Sequence, residues 1–332
     1  MKQLGAGIAI TGSGSATPEV TLDNHQLSQM VETSDEWITT RTGIRQRRLA
    51  NPEDTLSVLA TRAAQDAIAM AGISPKDLDM ILLATSTADD LFGTACQIQH
   101  LLGAPQAVAF DMTAACSGFI FGMVTAAQFI RTGVYRNILL IGADILSRWV
   151  DWSDRGSCIL FGDAAGAVVL QADECDRFLG FEIRSDGTLN KSLQLAYQAQ
   201  TKEIVKGVTI GQGTYQPITM NGKEIYRFAV QKVPEVIEKA LYRAHLSTDQ
   251  IDWLLMHQAN QRILDAVAQR LNIPDHKVLS NLAHYGNTSA ASIPLALDEA
   301  VRQGKIQPGD VIASAGFGAG LTWGAAIFQW GR

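Results

Sequence analysis

The chain has 332 residues, of which 47% are apolar and 18% charged, and these values allow a large buried core in one or two domains and exclude a disordered chain. The net charge of −6 gives no overall attraction for nucleic acid. Because no apolar run reaches the about 20 residues that cross a bilayer, and because residues 1–10 are too short and glycine-rich for a signal peptide, we expect a cytoplasmic protein without a membrane partner.

Apolar runs of strand length alternate along the chain with longer segments of helical period. This alternation indicates an α/β fold in which two layers of helices cover buried sheets. Helices are predicted over Leu56–Met70, Gly118–Arg131, Pro234–Ala244 and Ile263–Leu271. Strands are predicted over Met80–Ala84, Ala107–Phe110, Asn137–Gly142, Trp253–Met256 and Val311–Ala315.

The sequence also repeats itself. Three pairs of similar segments occur in the same order, at offsets of 173, 171 and 158 residues: Ala71–Asp79 with Ala244–Asp252, Arg131–Gly133 with Arg302–Gly304, and Gly166–Leu170 with Gly324–Phe328. Three ordered matches are poorly explained by chance. We therefore predict an internal duplication, with an N-terminal half over 1–172 and a C-terminal half over 173–332.

Four cysteines are present and none forms a C-x-x-C pair, so we expect free thiols and neither a zinc site nor a redox pair. Cys116 lies where a predicted strand gives way to a helix, and the helix N-terminus should favour its thiolate, as acyl chemistry requires. Cys96 and Cys158 are expected to be small buried core residues. The acidic neighbours of Cys175 should suppress its ionisation.

The repeat offsets link two further polar residues to Cys116. Adding 171 to Cys116 gives Asn287, at the head of a predicted helical run, and adding 173 to Ala84 gives His257, at the end of a predicted strand. Because ligands bind at strand ends in open α/β folds, Cys116, His257 and Asn287 should converge. Asn287 has a second interpretation, since Gly-Asn is also a turn or helix-cap signal. The other histidines are expected to be structural or on the surface: His25, His100, His245, His276 and His284.

Four motifs together resemble those of β-ketoacyl-acyl carrier protein (ACP) synthase III, over essentially the whole chain: Asp111–Gly118, His257–Asn260, Tyr285–Ser292 and Gly316–Gly324. The resemblance implies a five-layer αβαβα thiolase-like fold with mixed sheets, built from two duplicated halves. It also implies a homodimer that needs neither metal nor cofactor and takes acetyl-CoA as a substrate.

The implied reaction begins with transfer of the acetyl group of acetyl-CoA to Cys116. Decarboxylative condensation with malonyl-ACP then yields acetoacetyl-ACP, CoA and CO₂ and initiates fatty acid biosynthesis. By resemblance, His257 and Asn287 donate hydrogen bonds to the enolate, and the backbone N–H groups of Cys116 and Ala319 form the oxyanion hole. Ala319 replaces the middle of the three glycines usual in the family, so its φ should be negative or strained.

The resemblance also assigns the binding positions. Trp37 and Arg155 would enclose the adenine of CoA, Arg41 would bind its phosphates and Asn260 its pantetheine. Phe92 would reach across the dimer to close the acyl pocket and favour a short starter. Three arginines match the positions that dock acidic ACP, although a solvated helix face also explains the last two: Arg227, Arg262 and Arg270.

Three other functions deserve comparison. A thiolase would need a second catalytic cysteine, and none follows Cys175. A non-catalytic scaffold would be expected to lose Cys116, His257 or Asn287. A starter enzyme of polyketide or alkylquinolone type shares the same three residues and stays open, and a larger acyl pocket would distinguish it.

Overall fold

The computed structural model describes residues 7–331. Its α-helices are α1 Asn24–Leu27, α2 Asp35–Thr42, α3 Leu56–Ala71, α4 Ala95–Leu102, α5 Gly118–Arg131, α6 Gly222–Ala244, α7 Gln261–Arg270, α8 Leu282–Tyr285 and α9 Ser292–Arg302. Its strands are β1 Gly7–Ala16, β2 Thr21–Asp23, β3 Gln46–Arg48, β4 Met80–Ala84, β5 Val108–Met112, β6 Asn137–Ile145, β7 Asp163–Asp173, β8 Phe178–Ser185, β9 Leu193–Gln194, β10 Tyr197–Val205, β11 Val208–Tyr215, β12 Thr219–Met220, β13 Trp253–Met256, β14 Val278–Leu279, β15 Val311–Gly318 and β16 Thr322–Gln329.

Two five-stranded sheets have the same strand order. The first runs β1-β7-β6-β4-β5, and the second, in the corresponding direction, runs β8-β16-β15-β13-β14. In each sheet the last three strands are parallel neighbours and the other pairings are antiparallel. This shared order is what an internal duplication would produce.

The helices form three layers around these sheets. Helices α5 and α9 lie between the sheets, where Phe119, Ile120 and Ile293 pack in one core with residues of both. The outer face of the first sheet is covered by α3 and α4, and that of the second by α6 and α7. The architecture is therefore αβαβα, which confirms the five-layer fold, with one helical layer more than the hydrophobic pattern alone indicated.

Helix α6 begins well before its predicted start at Pro234. The side chain of Asn221 accepts a hydrogen bond from the N–H of Glu224 and caps the helix there. Proline has no N–H to donate to the carbonyl of Val230, one turn earlier. Arg270 fills this gap, because its Nη1 donates to the Val230 oxygen at 3.3 Å. A partner side chain on α7 thus allows α6 to continue through its proline.

The burial of the cysteines differs in part from the prediction. Cys158 is buried, but Cys96 is exposed and its Sγ donates to the Ala109 carbonyl at 3.5 Å, so its predicted burial is wrong. The buried face of α4 is formed by Ala95, Ile98 and Leu102, and Cys96 points away from it. All four thiols are free. Within residues 7–331 no helix is both long and apolar enough to cross a membrane.

Candidate active site

Cys116 sits in a tight turn between β5 and α5. A 3-10 turn over Ala115–Ser117 leads into the helix, and Ala115 takes a left-handed φ of +46° that lets the chain reverse sharply. The hydroxyls of Ser117 and Thr322 share a hydrogen bond of 2.7 Å, which ties the turn to β16. A side chain at Gly318 would bring its Cβ to 2.6 Å from the Cys116 nitrogen. Glycine is therefore required for β15 to approach the cysteine so closely.

The enclosure of Cys116 sets its ionisation. Burial raises the pKa of the thiol to about 12, and the nearby Asp144 carboxylate acts in the same direction. The Ser289 hydroxyl opposes them, since it donates to the Sγ of Cys116 at 3.4 Å. This desolvation acts against the thiolate that the helix N-terminus is expected to favour. A reaction at Cys116 must first remove a proton.

His257 follows the last residue of β13, as the repeat predicted, and is buried. Its Nδ1 shares a 2.7 Å hydrogen bond with the Ser292 hydroxyl, whose oxygen also accepts the Gln258 N–H at 3.4 Å. If the Ser292 hydroxyl donates to Nδ1, the ring proton of the neutral imidazole lies on Nε2. Burial lowers the pKa of His257 to about 3, so the imidazole is neutral at neutral pH. It can donate one hydrogen bond without carrying charge.

Asn287 is held by both its backbone and its side chain. Its N–H donates to the Leu160 carbonyl at 2.8 Å, and its Oδ1 accepts the Ser289 N–H at 2.9 Å. Because the amide oxygen is occupied in this way, the NH₂ group is the part of the side chain available to a ligand. Asn287 therefore offers a second neutral donor, and its local hydrogen bonds also fit the turn interpretation.

The structural counterpart of Cys116 is not Asn287. The turns Ala115–Ser117 and Ser289–Ala291, and the helices that follow them, are separated by 174 residues, which aligns Cys116 with Ala290. The offset of 171 came from the far ends of α5 and α9, and it fails at their starts because α9 is the shorter helix. The repeat nevertheless led to the correct turn.

Two cavities meet at Cys116. The first, about 480 Å³, is lined by Cys116, His257 and Asn287, and its wall includes Arg41 and Asn260. The second, about 800 Å³, is lined by Leu146, Trp149, Leu195, Ala319 and Thr322 among others. Cys116, Phe161 and Leu193 line both. The cysteine can therefore meet ligands in either space.

Ala319 adopts the restricted backbone expected of an alanine. Its φ lies outside the positive region, and the next residue, Gly320, takes a φ of +128°. The positive φ in this loop is therefore adopted by a glycine and not by Ala319. Ala319 lines the second cavity and stays a candidate for the oxyanion hole.

The expected CoA-binding residues lie in or beside the first cavity: Arg41 and Asn260 line it, and Trp37 lies against Arg41. The guanidinium carbons of Arg41 and Arg155 lie 4.3 and 4.7 Å from the centroid of the Trp37 ring. Asn260 caps α7 by accepting the Arg262 N–H at 2.9 Å, and its amide donates to the Arg41 carbonyl at 3.0 Å. Arg155 stacks on Trp37, so a nucleotide base between them would have to separate the two.

The remaining predicted residues divide into two groups. Arg227 and Arg262 line the first cavity from α6 and α7, while Arg270 is exposed and bonded to Val230. Phe92 is fully exposed and lines neither cavity, so within one chain it is not brought to Cys116. The five histidines expected to be structural or on the surface are all exposed.

Several polar residues of the site were not identified from the sequence. Ser289 and Ser292 lie inside a motif that was singled out, but their contacts to Cys116 and His257 depend on packing between the halves. One sequence signal marks Asp144, since it is a carboxylate within an otherwise apolar strand. No group of three or more His, Cys, Asp or Glu residues suited to a metal occurs in the described part of the chain.

Comparison with known proteins gives consistent matches. Residues 110–187 match the family model for 3-oxoacyl-(acyl-carrier-protein) synthase III, and residues 241–330 match that for its C terminal. The chain is 75% identical over 326 residues, 98% of its length and 99% of the relative's, to beta-ketoacyl-(acyl-carrier-protein) synthase III of Nostoc sp.. The crystal structure of 3-oxoacyl-(acyl-carrier-protein) synthase III from Aquifex aeolicus is 43% identical, with a TM-score of 0.89 over 98% of this chain and 100% of that one. The priming β-ketosynthase of the R1128 polyketide pathway is 32% identical, with a TM-score of 0.91 over 100% and 99% of the two chains.

Proposed function

The chain belongs to the β-ketoacyl-ACP (3-oxoacyl-ACP) synthase III family, and we propose that Cys116, His257 and Asn287 carry out its reaction. The enzyme is an acyltransferase that performs the initiating condensation of fatty acid synthesis, with acetyl-CoA and malonyl-ACP as substrates. The single observation that carries the residue assignment is that all three side chains line one cavity, which opens beside Trp37 and Arg41.

In the proposed first step, the Sγ of Cys116 attacks the thioester carbonyl of acetyl-CoA. The tetrahedral oxyanion would accept hydrogen bonds from the backbone N–H groups of Cys116 and Ala319. Collapse of this intermediate releases CoA and leaves an acetyl thioester on Cys116. The exchange is nearly balanced in energy because one thioester replaces another, so the acetyl group stays transferable.

In the proposed second step, malonyl-ACP loses CO₂ and its thioester oxygen becomes an enolate. Nε2–H of His257 and the NH₂ of Asn287 are two neutral donors that can stabilise this charge without protonating it. The enolate carbon attacks the acetyl carbonyl and expels Cys116. A neutral imidazole suits this role better than an imidazolium, which would be a stronger acid and could quench the enolate.

Substrate binding is proposed from the mouth of the same cavity. The adenine of CoA would enter between Trp37 and Arg155, Arg41 would contact the phosphates and Asn260 the pantetheine. Arg227 and Arg262 line this cavity from α6 and α7, Arg270 is the last residue of α7, and the three would attract the acidic ACP. These substrates agree with the cytoplasmic location expected from the sequence.

A homodimer is proposed because the second cavity is large in a single chain. Phe92 is fully exposed near Leu91, which lines that cavity, and a partner's copy of this loop would narrow the space for a short acyl group. The cavity of about 800 Å³ equally suits a longer starter, as in polyketide priming, and one relative in fold is a priming β-ketosynthase. A preference for acetyl-CoA would favour the fatty acid starter function, and a preference for longer acyl-CoAs the polyketide-type function.

The proposal is tested by incubating the protein with acetyl-CoA and, separately, with longer acyl-CoAs, followed by peptide mass mapping. Acetylation confined to the Cys116 peptide is expected, and Cys116→Ala should abolish it. Cys158→Ala is the matched control, because Cys158 is also buried but lines neither cavity. Labelling elsewhere, or none at Cys116, would contradict the proposed mechanism.

A further inference from the structure

The hairpin formed by β10 and β11 has no part in the mechanism above. The two strands form a sheet of their own, and every residue from Tyr197 to Tyr215 except Gly213 is exposed. An isolated two-stranded hairpin is marginally stable in water, so the contacts at its base decide where it lies. These contacts are made beside the second cavity, which Tyr215 lines from the end of β11.

Tyr215 is held between two other aromatic rings at the base of the hairpin. Its ring centroid lies 5.5 Å from that of Tyr197 and 6.1 Å from that of Trp149, at interplanar angles of 72° and 74°. Both contacts are edge-to-face, an arrangement that aromatic pairs prefer. Tyr197 is the cross-strand partner of Tyr215, and its hydroxyl oxygen accepts the Gly213 N–H at 2.7 Å. The neighbouring strand therefore supports Tyr215 on one side, and Trp149 supports it on the other.

The base of the hairpin is also joined to the rest of the protein through its backbone. The Ile218 N–H donates to the Trp149 carbonyl at 2.8 Å. Strands β9 and β12, which precede and follow the hairpin along the chain, pair with each other. Strand β9 begins with Leu193, which lines both cavities together with Cys116. A short ladder thus connects the aromatic group to the wall beside the cysteine.

Trp149 and Tyr215 line the second cavity and not the first. The junction of the two cavities is marked by Cys116, Phe161 and Leu193, which line both. An acyl chain on the sulfur of Cys116 can therefore reach the two rings only by extending from this junction into the second cavity. Aliphatic side chains line the same cavity: Leu146, Leu195 and Ile218.

The wall of the second cavity also has a polar part. It is formed where β4 and β5 end, by hydroxyl-bearing and acidic residues: Thr85, Ser86, Thr87, Asp89, Asp111 and Thr113. An alkyl chain gains free energy against apolar side chains and loses it where it displaces water from polar ones. The apolar part of the wall, which includes Trp149 and Tyr215, is therefore the part that a growing alkyl chain would follow.

We propose that Tyr215, supported by Trp149 and Tyr197, limits the length of the alkyl chain that Cys116 can accept from an acyl-CoA. Tyr215 contacts the end of a longer chain, whereas Tyr197 lines neither cavity and is a positioning residue that acts through Tyr215. The inference rests on the proposed role of Cys116 as acyl carrier. It differs from closure by a partner's Phe92, because it needs no second chain.

The two ring contacts explain why Tyr215 can discriminate by size. A ring supported on one side could turn away from a longer chain, but Tyr215 would lose an edge-to-face contact in either direction. One methylene too many in a hydrophobic pocket changes kcat/KM by about 10- to 200-fold. A fixed ring on the wall therefore suffices to separate short acyl groups from long ones.

The test measures acylation of Cys116 by acetyl-, hexanoyl-, octanoyl- and decanoyl-CoA, each supplied alone to the whole chain. Intact mass gives the rates, and the quantity compared is the ratio of each longer-chain rate to the acetyl rate. Tyr215→Ala should raise this ratio by about 10-fold or more for the chains that the wild type accepts poorly. Tyr215→Phe keeps the ring and should retain the wild-type ratio. Tyr197→Ala should raise the ratio less than Tyr215→Ala, because only the support is lost.

Ile210→Ala is the matched control. Ile210 lies on the same strand as Tyr215 and is equally exposed, at 43% against 42%, but it lines neither cavity. Its ratio should equal that of the wild type. If Ile210→Ala raises the ratio as much as Tyr215→Ala does, the effect comes from a loosened hairpin and the proposal is overturned. A Tyr215→Ala enzyme whose four rates change by one common factor, or not at all, would overturn it as well.

Two further results complete the test. If Tyr215→Ala fails to fold, as thermal unfolding would show, Tyr215→Leu replaces it, because leucine is apolar but lacks the ring. Equal wild-type rates for all four acyl-CoAs would mean that nothing limits chain length, and the proposal would be wrong. A wild-type protein that carries no acyl group from any of them would refute the proposed function itself, which is a separate result.

Discussion

Burial leaves both titratable residues of the proposed catalytic group uncharged. It raises the pKa of the Cys116 thiol to about 12 and lowers that of the His257 imidazole to about 3. The resting site therefore lacks the thiolate–imidazolium pair found where a histidine activates a cysteine directly. His257 is left as a donor for the enolate, and the thiol proton needs another acceptor.

His257 should make stability depend on pH in the acid range. Between its ordinary pKa of 6.5 and its folded value of about 3, the unfolded chain binds a proton that the folded chain does not, so stability falls as pH falls. By about pH 4.5 the loss from this residue reaches about 2–3 kcal/mol. Urea unfolding at several pH values should give a flatter profile for His257→Gln than for the wild type.

The difference between the stability profiles of the wild type and His257→Gln reports the contribution of His257. Burial raises the pKa of Asp144 and Asp163, which acts in the opposite direction, but both carboxylates are present in each protein and cancel in the difference. Parallel stability profiles for wild type and His257→Gln would contradict the buried, neutral histidine.

At the scale of elements, close approach between β15 and the Cys116 turn depends on Gly318. Gly318→Ala would place a methyl group 2.6 Å from the Cys116 nitrogen and 3.1 Å from its Cβ. We expect a loss of about 1–3 kcal/mol in unfolding free energy, with slower acetylation because the turn is displaced. Thermal unfolding and mass mapping measure the two effects. Gly187→Ala, where nothing lies within 4 Å, should change neither.

The helix pair α6 and α7 should depend on Arg270 for stability. Arg270→Ala leaves the Val230 carbonyl, already without its usual helical donor, unpaired beside Pro234. A loss of about 1–2 kcal/mol in unfolding free energy is expected from chemical denaturation. Arg262→Ala is the control, since Arg262 is equally basic and exposed and its guanidinium lies 5.9 Å from the centroid of the Tyr226 ring rather than at the Val230 carbonyl. If Arg270→Ala is as stable as the wild type, Arg270 does not stabilise α6, and only its proposed role in ACP docking remains.

Local sequence signals predicted the elements well where one pattern governed them. The bounds of α5, β4 and β13 agree with the prediction, because their apolar patterns end where polar residues begin. The start of α6 was missed because the donor that makes Pro234 tolerable lies on another helix. Cys116 and His257 were found at element ends, but Asp144 was not, because its importance arises from contacts with residues far along the chain.

At the scale of the whole molecule, one chain leaves the second cavity wide and Phe92 in solvent. If a partner's Phe92 closes this cavity, Phe92→Ala should increase acylation by longer acyl-CoAs relative to acetyl-CoA, by about 10-fold for each 1.4 kcal/mol of relieved clash. Competition between acyl-CoAs, read by intact mass, measures the preference. Leu101→Ala, another exposed apolar side chain, should leave it unchanged.

Sedimentation at several protein concentrations accompanies this measurement, because the predicted effect requires a dimer. A monomer in solution, or a Phe92→Ala enzyme with unaltered chain-length preference, would contradict the proposed closure by the partner. A preference for long acyl groups in the wild type would instead favour the polyketide-type starter function.

If CoA binds between Trp37 and Arg155 as proposed, the stacking of Arg155 on Trp37 competes with the binding of its adenine. Arg155 also donates to the Glu32 carbonyl at 2.9 Å, so the stacked arrangement is anchored at both ends. In the proposed binding mode, the adenine must displace the Arg155 guanidinium from Trp37 before it can stack on the ring. Breaking a cation–π contact costs about 0.5–1 kcal/mol, which weakens CoA about two- to fivefold. Under this proposal, acyl-pantetheines, which lack the nucleotide, would not have to displace Arg155. Product CoA would be released more readily, because Arg155 could stack on Trp37 again.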